Sequence, residues 1–537
     1  MFIRDEDMAL AKLALADLAG HSKRGKIVGR EKCQAVLEDA VAKVWERLEL
    51  RLAPFSRLSV VSACFRAIDE LTRDAAHWDL TTRSLLALHD SQSATKRVLR
   101  NRRSDRSAAS LCNRLLIETA QYACAGSNGE PFNRADHLAM LAEILLLLTL
   151  AQHRDAIAFA FMDPEVTVQP NGEIDVDEEF YRKVLFRYLS HRSDAATQRA
   201  ADRYDAHFEA HAARDNDEDA IADRWTALNE GFEPEFGFGV QKLVDLIGVW
   251  REFALQSDAS GGVLSEDEIR PLLVNGCGFS STGADAFLER FSLPIRSAWN
   301  RDLPAKCSNQ DVFPWRFRRQ LSVLMRPLVQ VETAPRTWFI SASMFEKSVA
   351  YLLKNFERGV LPERMFASPT TRSFIGRIVN RKGHAFAEKV QEVFDTNATG
   401  SRLEIQMEEL GAAAKDGLGD IDVLAWDSAS GVVYAVECKR LLTALTAREV
   451  IQRLEDFRGD RKTKDSLSRH LRRVDWLKNH LDRLSKLIRI PECSIGLTPL
   501  LVTSEIVPMQ FYDDMHFPTE QVVAFNDLQD FLARTRR

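Results

Sequence analysis

Paired cysteines are missing from this sequence. Its eight cysteines (Cys33, Cys64, Cys112, Cys124, Cys277, Cys307, Cys438 and Cys493) are scattered, and no two stand as Cys-x-x-Cys. That spacing excludes the usual zinc ribbons and a disulfide framework, and it fits the reduced thiols of a cytoplasmic protein. Net positive charge is also missing: 72 Lys and Arg stand against 78 Asp and Glu, a balance of −6. No field of the whole chain draws in nucleic acid, so any such binding must come from a local patch. There is no glycine-rich Walker loop, which excludes a nucleotide-driven motor of that class.

Long apolar runs are scarce as well. The most apolar stretch, "HLAMLAEILLLLTLAQHRD" at 137–155, contains Glu143. It turns polar within about 16 residues, short of the roughly 20 that cross a bilayer, so a buried core helix and no membrane contact are expected. The opening "MFIRDEDMALAKLALADLAG" places three acids ahead of its apolar part. A secretory leader needs the opposite charge there, and a cytoplasmic location is the expectation.

What is present is ordinary globular material. The chain has 537 residues, 45% hydrophobic and 28% charged, enough for about two to four domains. Residues 1–325 read as mainly helical, with room for two subdomains. "EKCQAVLEDAVAKVWERLELRL", "DHLAMLAEILLLLTLAQ" and "GVQKLVDLIGVWREFALQ" all carry apolar residues at helical spacing. Ser265 and Glu268 in "SEDEIRPLL" form a capping box. Asn171-Gly172 in "VTVQPNGEIDVD" predicts a hairpin. Linkers are expected at 125–133, 212–219 and 257–263.

Residues 326–380 read as a connecting hairpin around Pro335 followed by a helix. Residues 381–537 then alternate: helix 384–395, strand 401–408, strand 420–426, turn "DSASG", strand 432–439, a helical stretch from 446 to 489, a strand in "IGLTPLLVTSEIV" and a last helix in "NDLQDFLAR". The fold class is therefore a mainly α N-terminal region plus a C-terminal α/β domain, with a central mixed sheet flanked by helices.

The chemistry concentrates in "GDIDVLAWDSASGVVYAVECKRL", residues 419–441. Side chains alternate along a strand, so Glu437 and Lys439 share one face while Val432, Tyr434, Val436 and Cys438 share the other. The short turn Asp427–Gly431 pairs the two strands and brings Asp422 near Glu437 and Lys439. Charges on a buried sheet cost several kcal/mol each unless paired or bound to a metal. Two neighbouring carboxylates call for a hard divalent cation. Mg²⁺, with Mn²⁺ as its substitute, is the expected cofactor, and phosphodiester hydrolysis is the chemistry it serves.

These residues resemble the PD-(D/E)xK nuclease superfamily, the restriction-endonuclease-like fold. Asp422 stands in "GDIDVLAWD", and Glu437-Cys438-Lys439 in "VYAVECKRL" closes the next strand as the one Glu-x-Lys of the chain. The helix "KGHAFAEKVQEVFD" supplies Glu388 where the superfamily carries a glutamate, with Glu392 one turn further on. No proline precedes Asp422, a departure from the fullest form of the motif. The resemblance covers about a quarter of the chain. It implies that Asp422, Glu437 and the main-chain carbonyl of Cys438 hold the metal, and that Lys439 orients the attacking water. It further implies that Glu388 assists metal or water and that Gln452 is an auxiliary polar group. DNA, more than RNA, is the implied substrate, with 5′-phosphate products, and defence against foreign DNA follows by analogy.

A basic segment follows the site. Residues 458–490 hold eleven Lys and Arg against four Asp, and phosphate backbones are the expected partner. Arg440, Arg461, Lys462, Lys464, Arg469, Arg472 and Arg473 are the candidate nucleic-acid contacts. A second run, "KRVLRNRRSDR" at 96–106, has no chemistry beside it. Nor do three other patterns. "NGEIDVDEE" at 171–179 repeats the Gly-acid-Ile-Asp-Val signature without a Glu-x-Lys strand, and reads as an exposed hairpin. His207 and His211 lack a third ligand. "GFGV" at 237–240 reads as a packing loop. The expectation is a metal-dependent nuclease whose helical region recognises a substrate, a protein partner or a second copy. The alternative is a catalytically silent nucleic-acid-binding scaffold.

Overall fold

The computed structural model describes residues 2–535 apart from 20–23, 89–91, 127, 172, 194–217, 258–260, 315, 317–318, 442, 445 and 459–466. His207, His211, Arg461, Lys462 and Lys464 lie outside the described residues. The chain divides into two compact units, one of residues 1–177 and 193–376, the other of 178–192 and 377–537.

The first unit is mainly helical: α1 (Asp5–Ala19), α2 (Arg30–Leu52), α3 (Arg57–Leu88), α4 (Gln92–Ala123), α5 (Arg134–Ala158), α6 (Glu218–Phe236), α7 (Val240–Ser257), α8 (Glu266–Pro271), α9 (Ser281–Phe291) and α10 (Ala342–Arg358). In α2 the buried residues Cys33, Leu37, Val41, Val44, Leu48 and Leu52 recur every three or four positions, the stripe that drives a helix onto a core. Helix α5 starts where the Asn133 side chain accepts the Asp136 backbone N–H. It is long and apolar enough to cross a membrane, and 61% of its apolar window is buried inside the fold. Glu143, the charge within it, is buried and meets Arg51 at 2.7 Å and Arg47 at 3.1 Å.

Two sheets complete this unit. The expected hairpin is β2 (Glu165–Val168) with β3 (Ile174–Val176), and β1 (Gly25–Val28), unforeseen in the sequence, adds to the outer side of β2. The second sheet runs β4-β7-β6-β5, with β6 (Leu328–Thr333) and β7 (Arg336–Ser341) around Pro335, β4 (Gly261–Ser265) and β5 (Ser292–Leu293). The capping box stands, with the Ser265 backbone N–H donating to Glu268 at 2.8 Å. Phe238 of the "GFGV" segment is buried among Phe232, Phe279, Phe287 and Phe291, which makes that segment a packing loop.

The second unit is α/β. Its sheet runs β12-β11-β10-β9-β8, made of β8 (Gly400–Gln406), β9 (Asp420–Trp426), β10 (Val432–Lys439), β11 (Gly496–Thr503) and β12 (Val522–Ala524). The β8–β9 and β9–β10 pairs are antiparallel, and the β10–β11 and β11–β12 pairs parallel, so the sheet is mixed. Helix α11 (Pro369–Asn397), longer than the expected 384–395, covers one face together with α15 (Leu528–Thr535). There Phe386, Val390, Phe394, Leu528 and Leu532 meet Val423, Ala425, Tyr434 and Val436. The expected helical stretch 446–489 is three helices, α12 (Ala447–Asp456), α13 (Ser468–Lys478) and α14 (Leu481–Ile488). On the other face α13 and α14 set Val474, Leu477, Leu484 and Ile488 against Leu424, Val433 and Ala435. This is the mainly α plus α/β class expected from the sequence.

Residues 178–192 complete the second unit from far away in sequence. Tyr188, fully buried, donates its hydroxyl to the Ala444 carbonyl at 3.0 Å, and Arg192 donates to the same oxygen at 2.7 Å.

Candidate active site

Register places the site. Val436 pairs with Val423 and Val433 with Trp426, so the next step along the ladder sets Glu437 opposite Asp422. The β9–β10 turn closes on Gly431, which has φ 72° and leaves no room for a side chain, since a Cβ there would stand 1.9 Å from the Ser494 carbonyl oxygen. Glu437 and Lys439 follow Val433 and Ala435 on the face covered by α13 and α14, as strand alternation requires.

The contacts are short. Asp422 Oδ2 accepts the Cys438 backbone N–H at 2.6 Å. Glu437, 5% exposed, meets Lys439 Nζ at 2.5 Å through Oε1. Its other oxygen, Oε2, accepts from Arg473 Nη1 at 2.6 Å. His470 Nδ1 stands 3.7 Å from that same oxygen. His470 is fully buried, and among the described residues neither ring nitrogen has a hydrogen-bond partner.

Electrostatics separates the two carboxylates. Burial, then the charge of Glu437, pushes the Asp422 carboxyl up to about 6, against the opposing Cys438 N–H and Lys439. Burial also pushes Glu437 up, but the cations Lys439 and Arg473 outweigh it and hold that carboxyl below its ordinary value. Lys439 is lowered by burial and raised by Glu437 and Asp422, with a net upward shift that keeps it an ammonium. Burial lowers His470 to about 4, so its imidazole is neutral near pH 7.

The donor set fits a small, hard divalent cation. Mg²⁺ is typically held by one or two carboxylates with water and phosphate completing its sphere. Asp422 and Glu437 supply two on directly opposed positions of neighbouring strands. Among the described residues no group of three or more His, Cys, Asp and Glu is assembled for a metal.

The other expected site residues lie on α11, α12 and α13 and just past β10. Glu388 is exposed on α11 and pairs with His384 at 3.3 Å, while His384 also reaches Glu404 at 2.6 Å. Helix α11 buries Phe386, Val390 and Phe394 on the opposite sheet face from Glu437, and Glu388 lies on its exposed side. Gln452 is exposed on α12 and donates to Asp456 at 2.9 Å within its own helix. Arg440 is half-buried just past β10, and Arg469 and Arg472 are exposed on α13. Arg473 does not face solvent with them: it is 4% exposed and bonded to Glu437 and, through Nε, to the Leu418 carbonyl at 2.6 Å. It is a buried member of the site, not a phosphate contact. His470 was not anticipated at all. The signal existed in "SLSRHLRRVDWLK", where His470, Arg473, Val474 and Leu477 fall at helical spacing on one face.

Comparison with known proteins gives one finding. The model of the family described as "Anti-phage protein Upx-like" matches residues 1–528. No curated protein and no solved structure matches the chain.

Proposed function

The chain belongs to the Upx-like family of anti-phage proteins, and on that premise we propose that its second unit hydrolyses phosphodiester bonds of nucleic acid, DNA by preference. The helical first unit then serves recognition of a substrate, partner or signal. The observation that carries this reading is the gathering of Asp422, Glu437 and Lys439 on two paired strands whose central residues, Ile421, Val423 to Ala425 and Val433 to Val436, are apolar and buried. Packing alone does not call for these charges, and keeping them there costs stability. Sites that keep such a cost are commonly catalytic.

Asp422 and Glu437, with the main-chain carbonyl of Cys438, would hold Mg²⁺ or Mn²⁺. Such an ion supplies charge stabilisation at phosphorus and activates water. Lys439 remains protonated, so it acts by donating: it orients a water beside the carboxylates and offsets charge on a phosphate oxygen. Asp422 and Glu437 restrain that ammonium to one side of the sheet. The exposed Arg469 and Arg472 on α13 add local positive charge that draws in a phosphate backbone.

One observation favours a second reading, a silent nucleic-acid-binding scaffold. Both oxygens of Glu437 are already engaged by Lys439 and Arg473, so two carboxylates and two cations balance without a metal. The test is cleavage of mixed DNA and RNA by the full chain with Mg²⁺ or Mn²⁺. Cutting abolished by EDTA, by Asp422→Ala and by Lys439→Ala is the expected result. Absence of cutting by wild type on every substrate, with nucleic-acid binding intact in both variants, replaces the proposal with the scaffold.

A further inference from the structure

Lys439 and Arg473 hold Glu437 in different ways. Lys439 reaches Oε1 from its own strand, and its side chain is 33% exposed. Arg473 reaches Oε2 from α13, and its side chain is 5% exposed. The arginine is tied a second time, Nε to the Leu418 carbonyl at 2.6 Å. Leu418 precedes Gly419, whose φ of 69° turns the chain into β9 and whose hydrogen-only side leaves Arg473 Nη2 at 3.6 Å from where a Cβ would stand. One guanidinium therefore joins the start of the strand bearing Asp422 to the carboxylate of the strand bearing Glu437. The buried imidazole of His470 stands 3.7 Å from the same Oε2.

We propose that Arg473 is a positioning residue that fixes Glu437 by Oε2, leaving Oε1 as the oxygen that exchanges Lys439 for a divalent cation. This rests on the metal-dependent reading above and assigns the two Glu437 oxygens different duties. A planar guanidinium with two fixed bonds orients a carboxylate, whereas a flexible ammonium with partial access to solvent can leave it. The arginine thus settles where the carboxylate points before any ion arrives. Its charge also opposes the ion, and that opposition is the rival account of the same contact.

The experiment is Mn²⁺ binding to the full chain without substrate, read from loss of the free-ion electron paramagnetic resonance signal. It compares wild type, Asp422→Ala, Arg473→Met and Arg473→Lys, with melting temperature and circular dichroism recorded on each. Wild type is expected to bind one Mn²⁺ that Asp422→Ala loses. Arg473→Met is expected to weaken binding by about 10- to 100-fold, the usual effect of removing a group that orients a ligand. Arg473→Lys, which keeps the charge and loses the fork, is expected to recover only part of it, and it serves alone if the methionine variant fails to fold. A purely structural arginine would lower the melting temperature and leave the affinity of folded protein unchanged, which overturns the inference. Equal or tighter Mn²⁺ binding by either folded variant overturns it too, leaving the metal reading intact. Absence of Asp422-dependent binding in wild type removes both.

Discussion

The chain writes nearly the same five residues twice, Gly-Glu-Ile-Asp-Val at 172–176 and Gly-Asp-Ile-Asp-Val at 419–423. Each copy enters a strand of an antiparallel pair, and there the likeness ends. Strand β3 is the edge of a three-stranded sheet, and its Asp175 is exposed and accepts from Gln169 across the hairpin at 2.5 Å. Strand β9 has a neighbour on each side and helices over both faces, with Ile421, Val423, Leu424 and Ala425 fully buried. Water handles the charge in the first copy. In the second, Asp422 is buried beside Glu437 with one backbone N–H, that of Cys438, and a nearby ammonium to set against its charge, and its carboxyl rises. The electrostatic difference comes from the surroundings of the aspartate, not from the letters around it.

Substitutions made in parallel test that contrast. The largest difference expected is catalytic: Asp422→Ala or Lys439→Ala should lower metal-dependent cleavage by more than about a thousandfold, while Asp175→Ala leaves the rate within about twofold. A comparable loss from Asp175→Ala would show that the edge copy also does chemistry. Next comes packing. Leu424→Ala, in the middle of β9, should destabilise by about 2–5 kcal/mol in denaturant titration, against less than about 1 kcal/mol for Ile174→Ala on the edge.

A smaller effect concerns pH. Because the folded-state carboxyl of Asp422 lies above its unfolded value, the folded chain holds that proton more tightly. The stability this gives is complete below about pH 4 and is lost as pH rises past about 6. Asp422→Asn should therefore melt higher than wild type at about pH 7.5 without divalent metal, with the gain shrinking toward pH 5. A gain that does not change with pH would assign it to something other than this proton. The smallest effect belongs to the first copy again. Glu173 pairs with Lys12 at a site open to water, and Glu173→Gln should shift stability by less than about 1 kcal/mol.

Much of the second unit was legible because its strands are marked twice, by alternation and by turn residues. Strands β9 and β10 appear where the alternation of apolar and acidic residues places them, and Gly431 closes the turn between them. Strand β12 was missed since three residues carry no period. Strand β1 was missed for another reason: its partner β2 lies well over a hundred residues away, and "GKIV" alone has no pattern to read. In the site, the paired strands were visible and the contribution of α13 was not. Arginine serves a phosphate or a buried carboxylate equally well, so "RHLRRVD" looked like a basic surface. Only the tertiary contact separates Arg473 from Arg472, its exposed neighbour. Glu388 matches by position in sequence, and the structure shows it exposed on α11 and paired with His384.

The segment 178–192 carries a consequence for heredity and for the bench alike. Because Tyr188 and Arg192 close on the Ala444 carbonyl, the α/β unit is not a contiguous cassette. A gene fragment beginning at residue 377 would encode a body with one wall absent and a carbonyl stripped of both donors. Recombination that swaps the front of the gene must carry that short stretch along or break the back. The two halves are in this sense obliged to evolve as one gene, which limits how freely the front can be exchanged for another.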